Sequence, residues 1–233
     1  DGFLALRTLN LILERQERIR LLIGPNGAGK TTLFDALTGQ VKPVHGRVLF
    51  KDHVDLLGLS EHVIANHGVI RKFQTPSVFP DHTVFENMVL SSGRKRFLAT
   101  LAARAASREL DGIARVLEQV GLLQHAHARA GTLSHGQKQW LEIAMLLLQE
   151  PTLLLLDEPV AGMTRAEKEK TVALMESIVQ RSTCTIMLIE HDMQFVRQIA
   201  GRGHRVTVLH EGSVLSEGSI DRVQSDERVI EAY

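Results

Sequence analysis

The chain has a single cysteine, Cys184, among its 233 residues. One thiol excludes an intramolecular disulfide and any zinc site built from several cysteines, and it is typical of a reducing compartment. No apolar run approaches the roughly 18 residues needed to span a bilayer. The first ten residues carry no basic stretch followed by an apolar core, as a signal peptide would. We therefore expect a soluble, intracellular, globular protein.

The chain also lacks an excess of charge of either sign: its formal net charge is zero, since 27 Lys and Arg residues balance 27 Asp and Glu residues. A neutral chain has no overall attraction to nucleic acid or anionic lipid, so we expect no nucleic-acid partner. Two local features leave an alternative open. The Arg94-Lys95-Arg96 run is either a solvated helix end or a small basic patch, and His125 and His127 are either loop residues or two metal ligands without a third.

Short apolar runs alternate with segments of helical period, which is typical of an α/β protein. Strands are predicted at 18–23, 47–50, 152–157 and 183–190, and a hairpin at 205–218 that turns at Glu211-Gly212. Helices are predicted from Lys30 to Gly39, after Ser60 and after Thr164, and the middle of the chain is helical at 83–92, 100–120 and 134–149. We expect one domain over residues 1–233, with an α/β core formed by 1–77 and 151–233 and a helical subdomain at 78–150.

A glycine-rich segment follows the first predicted strand and opens the first predicted helix. It matches the pattern G-x-x-x-x-G-K-[ST] in the strand-to-helix context that this pattern requires. Its glycines let backbone N–H groups turn towards phosphate oxygens, and the helix N-terminus adds a partial positive charge. Lys30 can reach the β- and γ-phosphates, and the Thr31 hydroxyl can ligate Mg²⁺. The predicted nucleotide-binding residues are Gly24, Pro25, Asn26, Gly27, Ala28, Gly29, Lys30, Thr31 and Thr32.

Two adjacent carboxylates, Asp157 and Glu158, end a predicted buried strand. Ligands of open α/β folds bind at the carboxyl ends of strands. We expect Asp157 to hold Mg²⁺ through water and Glu158 to polarise an attacking water. Taken alone, the two acids would also fit a strand end stopped by Pro159, and the phosphate loop is what favours the catalytic interpretation.

A third segment, Leu133-Ser134-His135-Gly136-Gln137, opens a predicted helix and resembles the LSGGQ signature of ABC-type ATPases. Gln74 in RKFQ stands where this family has its Q-loop glutamine, His191 in IEHD where it has the switch histidine, and Pro159–Met163 where it has the D-loop. These motifs follow one another in the family's order over nearly the whole chain. The chain is identified as a member of that family. Membership implies an α/β P-loop nucleotide-binding domain with a mixed sheet core, an antiparallel subdomain and a helical insert.

The resemblance also implies roles for single residues, with ATP and Mg²⁺ as cofactors. Glu158 resembles the general base, and His191 the residue that contacts the γ-phosphate. The signature resembles the segment that closes over ATP held by a second ATPase subunit, so hydrolysis is expected to need a head-to-tail homodimer or heterodimer. The resemblance assigns catalysis to Glu158, His191 and Gln74, the metal to Thr31, Gln74 and Asp157, and contact with the second subunit's nucleotide to Ser134, Gly136 and Gln137.

Three departures from the family's pattern leave alternatives open. His135 stands where the signature LSGGQ has the first of its two glycines, and it is either a neutral spacer or an added donor facing phosphate. Phe3 either stacks on adenine or belongs to the core, since this chain starts after the point where the family has its first strand. Arg15-Gln16-Glu17 stands where a Pro-Gly-Glu turn is common, which leaves the conformation of that turn open.

The segments RKFQTPSVF, LSHGQKQWLEIAMLL, LLLLDEPVAGM, EHDMQFVR and VTVLHEGSVLSEG are similar to those of the ATP-binding subunits of branched-chain amino acid and urea importers. They are most similar to the subunit for urea and short-chain amides. This implies an ATPase that lies on the cytoplasmic face of the plasma (inner) membrane and powers import of a small polar solute. Its implied partners are transmembrane permease subunits and, indirectly, a periplasmic or extracellular solute-binding protein.

Other functions stay open as alternatives. They are the ATPase of a branched-chain amino acid importer and, more remotely, that of a lipopolysaccharide exporter or an ABC protein outside transport. A DNA-repair type is disfavoured because only about 100 residues separate Lys30 from Ser134, too few for a long coiled coil. A ribosome-acting type is disfavoured because it usually carries two such domains in one chain. A regulator that binds nucleotide without hydrolysis is disfavoured by the presence of Glu158 and His191.

Overall fold

A computed structural model of the chain describes residues 4–72, 78–92 and 103–232. Phe3, Gln74 and the Arg94-Lys95-Arg96 run, for which the sequence raised expectations, lie outside the described residues. The described strands are β1 (Ile19–Ile23), β2 (Leu49–Phe50), β3 (Val54–Asp55), β4 (Val69–Lys72), β5 (Leu153–Asp157), β6 (Thr185–Ile189), β7 (Arg205–His210) and β8 (Ser213–Gly218).

The described helices follow the predicted pattern and add three near the C-terminal end that the sequence analysis did not predict. In the described part of the chain, no helix combines the length and the apolar character that a bilayer crossing needs. The helices are α1 (Lys30–Thr38), α2 (Glu61–Asn66), α3 (Val84–Ser91), α4 (Ala103–Gln119), α5 (His135–Leu147), α6 (Arg165–Arg181), α7 (Met193–Ala200), α8 (Ile220–Gln224) and α9 (Glu227–Ala232).

The main sheet has six strands in the order β4-β5-β6-β1-β7-β8. Strands β5, β6, β1 and β7 pair in parallel, whereas β7 and β8 form the predicted antiparallel hairpin. Strands β2 and β3 form a separate two-stranded antiparallel sheet. The predicted α/β fold with a mixed sheet is confirmed. Because β1, β5 and β6 run in the same direction, their carboxyl ends meet at one edge of the sheet.

Strands β1 and β5 are buried along their whole length, as expected for parallel strands covered on both faces. Arg20 is the one charged residue within β1, and it is fully buried like its apolar neighbours. Its guanidinium donates to Glu17 Oε2 at 2.8 Å, Thr207 Oγ1 at 2.9 Å and Glu217 Oε2 at 2.7 Å. A buried cation is tolerated only when it is paired and hydrogen-bonded in this way.

The chain forms two compact units. The first comprises Asp1–Arg71, Thr152–Pro159 and Thr183–Tyr233, and the second comprises Lys72–Pro151 and Val160–Ser182. The first unit holds β1 and α1, around a core that includes Leu22, Phe34 and Met187. The second unit is helical, with Trp140 of α5 donating from Nε1 to Thr171 Oγ1 of α6 at 2.9 Å.

One predicted strand is shorter in the structure, and one strand of the main sheet was not predicted. The strand predicted at 47–50 is reduced to the two residues of β2, and β4 was not predicted at all. A strand of four residues that contains Arg71 and Lys72 lacks the apolar pattern that predicts strands. The segment Arg15-Gln16-Glu17 does form a turn, in which Glu17 N–H donates to Glu14 O at 3.0 Å.

Cys184 lies buried beside β6, and burial raises the pKa of its thiol to about 12. The thiolate is the form that attacks disulfide reagents. We therefore expect the folded protein at pH 8 to react negligibly with Ellman's reagent, and the same protein in denaturant to release one equivalent of product per chain. A folded protein that reacts as fast as the denatured one would contradict the burial.

Candidate functional site

The glycine-rich loop between β1 and α1 has the backbone of a phosphate cradle. Gly24, Gly27 and Gly29 have φ angles of +148°, +77° and +98°, which residues with a Cβ rarely adopt. The Cα of Gly24 also lies so close to the carbonyl of Leu209 that a side chain would have no room. The loop therefore depends on glycine for its conformation as well as for access to phosphate.

Helix α1 begins without a side-chain cap. Its N-cap residue is Gly29, which has no side chain to accept from the first turn, whereas α3, α5 and α6 each begin with a full capping box, at Thr83, Ser134 and Thr164. The first N–H groups of a helix need an acceptor, and together with the helix dipole they form an anion site. The start of α1 therefore fits a phosphate group.

Lys30 lies in the first turn of α1 with only 6% of its surface exposed. Its Nζ donates to the carbonyl oxygens of Gly24 at 2.7 Å and Pro25 at 3.0 Å, so the ammonium lies over the loop. Burial lowers the pKa of this lysine, and the nearby carboxylates of Glu158 and Asp157 oppose that shift. A buried cation with these neighbours fits the triphosphate of a nucleotide.

Asp157 ends β5 with its side chain 1% exposed. One oxygen, Oδ2, accepts from Arg71 at 3.2 Å, while the other, Oδ1, has no hydrogen-bond partner among the described residues. Burial raises the pKa of Asp157, and the charge of Arg71 opposes the shift. A buried carboxylate oxygen needs a partner, and a hydrated Mg²⁺ ion is one that it fits. Thr31, the predicted direct ligand, is exposed on the first turn of α1.

Arg71 is a residue at this site that the sequence analysis did not single out. It lies in β4, bonds Asp35 of α1 as well as Asp157, and its guanidinium lies 5.6 Å from the centre of the Phe34 ring. The available signal was its place in RKFQ, three residues before Gln74. Its ionic role could not be inferred without knowing that β4 lies beside β5.

Replacing Arg71 by Met should lower the free energy of unfolding by roughly 3 kcal/mol, because removing one partner leaves a buried carboxylate without its cation. Urea unfolding followed by circular dichroism measures this. Arg71→Lys is the matched control, which keeps the charge but loses the planar fork, and we expect a smaller loss. Equal unfolding midpoints for Arg71→Met and the wild type would show that the ion pairs contribute nothing.

Glu158 and His191 come together in the first unit. Glu158 Oε1 lies 3.3 Å from His191 Nε2, and the backbone N–H of Glu158 donates to Ile189 O at 2.9 Å. That bond extends the pairing of β5 and β6 by one residue. It fixes the backbone position from which the Glu158 side chain projects. Glu158 has a positive φ of +48°, an uncommon conformation for a residue other than glycine. Such conformations persist where the surrounding structure enforces them, often at active sites.

The signature residues form the capped start of α5 in the second unit. Ser134 Oγ accepts from the N–H of Gln137 at 3.2 Å, and Gln137 Oε1 accepts from the N–H of Ser134 at 2.9 Å. Ser134 Oγ also donates to Glu167 Oε1 at 2.9 Å. A Cβ on Gly136 would lie 2.5 Å from the same carboxylate oxygen. A larger residue at this position would therefore have to move the Glu167 side chain away from Ser134.

The two histidines of the HAHAR segment do not gather metal ligands. His125 Nε2 lies 3.2 Å from the amide nitrogen of Gln137. In the described part of the chain, no group of three or more His, Cys, Asp or Glu side chains is placed to hold a metal ion.

The strand, the glycine loop and the uncapped helix with its buried lysine together define a P-loop nucleotide-binding domain. A model of the family described as ABC transporter matches residues 6–161. The chain belongs to this family and is an ABC-type ATPase that uses ATP and Mg²⁺. The predicted family, enzyme class and cofactors are therefore confirmed.

Relatives and solved structures cover the whole chain. The high-affinity branched-chain amino acid transport ATP-binding protein LivG of Escherichia coli K12 is 38% identical over 240 residues, which cover 100% of this chain and 92% of that protein. The corresponding protein BraF of Pseudomonas aeruginosa is likewise 38% identical, with the same coverage. The crystal structure of a nucleotide-free ATP-binding cassette from an ABC transporter is 26% identical and matches with a TM-score of 0.82, covering 100% of this chain and 94% of that one.

Proposed function

We propose that this chain is the ATP-hydrolysing subunit that powers import of a small polar solute through separate membrane subunits, with urea or a short-chain amide as the solute. The observation that carries the hydrolytic part is the Glu158 carboxylate, which lies 3.3 Å from His191 at the same sheet edge as the phosphate loop. A carboxylate at that edge is placed to accept a proton from a water that attacks the terminal phosphate.

The residues predicted to surround the nucleotide have separate tasks in this proposal. The uncapped start of α1 and the Lys30 ammonium bind the β- and γ-phosphates. Glu158 orients the water and takes its proton, while His191 contacts the γ-phosphate and holds the Glu158 carboxylate in place. Thr31 and Asp157 would hold the Mg²⁺ ion, with Gln74 as the third predicted ligand, and the ion supplies charge neutralisation at the phosphates.

The signature segment contributes to a second active site in this proposal. Ser134, Gly136 and Gln137 form an N-terminal turn whose helix dipole favours phosphate. We infer that this turn closes over ATP bound by a second ATPase subunit, either another copy or a related chain. Hydrolysis then requires a head-to-tail dimer, and the closing and opening of the dimer drive the permease subunits.

The solute is the least constrained part of the proposal, because an ATPase subunit does not contact the transported molecule. Urea is supported by the resemblance of the segment that contains His135 and continues as KQWLEI. Branched-chain amino acids are the second candidate, supported by the names of LivG and BraF. At 38% identity the two relatives support the transport class more strongly than the solute.

Uptake of labelled urea and labelled leucine by the source cells tests both candidates. One strain would carry Glu158→Gln and a matched control strain would carry Glu211→Gln, an exposed glutamate in the hairpin turn with nearly the same φ, +46° against +48°. We expect the Glu158→Gln strain to lose uptake of urea at low external concentration and to keep uptake of leucine. Loss of leucine uptake alone would replace urea by a branched-chain amino acid. Normal uptake of both would exclude both solutes.

A further inference from the structure

His135 departs from the family's usual signature glycine, and its ring has a definite partner. The imidazole Nε2 lies 3.1 Å from the carbonyl oxygen of Ala161. Ala161 belongs to a short turn, Val160–Met163, which stands at the D-loop position; we call it the D-loop turn. A neutral imidazole with its proton on Nε2 donates to this carbonyl. The ring therefore links the start of α5 to the D-loop turn within the second unit.

The D-loop turn is shaped to receive the ring. Gly162 has a φ of +72°, and a Cβ on it would lie 3.3 Å from Cδ2 and Nε2 of His135. The Cδ2–Nε2 edge of the imidazole thus lies close to the turn as well as bonding to it. The amide nitrogen of Gln139, a residue 2% exposed on the next turn of α5, lies 3.4 Å from the same ring nitrogen. An amide nitrogen only donates, so this is a packing contact, and the Nε2 proton is left to the Ala161 carbonyl. The ring is therefore confined from two sides although His135 itself is solvent-accessible.

A second contact ties the same two segments together. Glu167 closes the capping box of Thr164 immediately after the D-loop turn and also accepts from Ser134 Oγ at 2.9 Å. Hydrogen bonds from Thr164 and Ser134 lower the pKa of Glu167, so it is a carboxylate at neutral pH. Two contacts thus join the signature start to this region. His135 contacts Ala161 within the D-loop turn, and Ser134 contacts Glu167 just after it.

We propose that His135 is a positioning residue that fixes the D-loop turn against the signature, so that both meet the second subunit as one preformed surface. The inference rests on the proposed two-subunit function and concerns neither proton transfer nor contact with phosphate. A loop held in its bound conformation loses less conformational entropy when the complex forms. Of the two ring nitrogens that could face a phosphate, Nε2 is occupied by the Ala161 carbonyl.

Two substitutions separate the hydrogen bond from the packing. His135→Gln keeps a nitrogen donor near the position of Nε2, whereas His135→Met keeps the bulk and cannot donate. Hydrogen exchange of the Met163 amide, which donates to Val160 O across the turn at 3.1 Å, reports whether the turn is ordered. In the nucleotide-free protein we expect exchange roughly tenfold faster in His135→Met, as for the loss of one hydrogen bond, and near the wild-type rate in His135→Gln. Equal rates in all three proteins would overturn the proposal.

Dimer formation gives the functional measurement. Sedimentation with ATP in a Glu158→Gln background would compare the parent with the two His135 variants. We expect the His135→Met protein to dimerise roughly tenfold more weakly and the His135→Gln protein to match the parent. Equal dimerisation of the parent, the His135→Gln protein and the His135→Met protein would overturn the positioning role. A parent that does not dimerise at all would count against the two-subunit function instead, and hydrogen exchange would still decide the role of His135.

Discussion

Glu158→Gln should reduce ATP hydrolysis by at least roughly 100-fold, which is the usual contribution of a general base. The amide keeps the size and the hydrogen-bonding reach of the carboxylate but cannot take a proton from water. Lys30 and the start of α1 are untouched, so ATP binding should remain. Single-turnover hydrolysis of labelled ATP, measured beside binding of a fluorescent ATP analogue, separates the two steps.

The structure offers a closely matched control for this substitution. Glu211 has nearly the same left-handed backbone as Glu158, with φ values of +46° and +48°, and its side chain is exposed in the β7–β8 turn. Glu211→Gln therefore imposes the same chemical change on the same backbone conformation outside the proposed active site. We expect hydrolysis within twofold of the wild type for this control. Hydrolysis by Glu158→Gln at a comparable rate would show that another group accepts the proton.

Lys30→Ala should weaken ATP binding by more than about 100-fold. Two charge-assisted hydrogen bonds from the ammonium to phosphate oxygens account for roughly 3 kcal/mol of binding free energy. The stability of the folded state should change little, because the loss of two hydrogen bonds from Lys30 to the Gly24 and Pro25 carbonyls is offset by removing a charge that burial disfavours, as its lowered pKa shows. Alanine is also a strong helix former, which suits the first turn of α1. Equilibrium binding of ATP and thermal unfolding, measured on the same sample, test both halves of this expectation.

Lys42→Ala is the control for this charge change, since Lys42 is an exposed lysine of the same unit outside the loop. Its ATP affinity should equal that of the wild type at moderate ionic strength. If Lys42→Ala lost as much affinity as Lys30→Ala, the effect would come from the general charge of the surface. If Lys30→Ala bound ATP normally, the assignment of the loop would be wrong.

Much of the local geometry of this candidate site could be predicted from the sequence because its parts are encoded locally. A glycine pattern between an apolar strand and a helix specifies the phosphate loop within eight residues, and Thr164 with Glu167 specifies a capping box within four. Both features depend on backbone conformation and on neighbours close in the chain. The predicted strands before Lys30 and Asp157 were confirmed for the same reason, since runs of buried apolar residues are visible without knowing their partners.

The tertiary structure alone decided which distant residues meet. Arg71 reaches Asp157 because β4 lies beside β5 in the sheet, although 86 residues separate them in the chain. His135 contacts the carbonyl of Ala161, 26 residues away, only because α5 and the D-loop turn pack in one unit. Such contacts are selected by strand order and helix packing, which local propensity does not encode. The sequence by itself therefore determined the chemistry of this ATPase, whereas the three-dimensional arrangement determined what holds that chemistry in place.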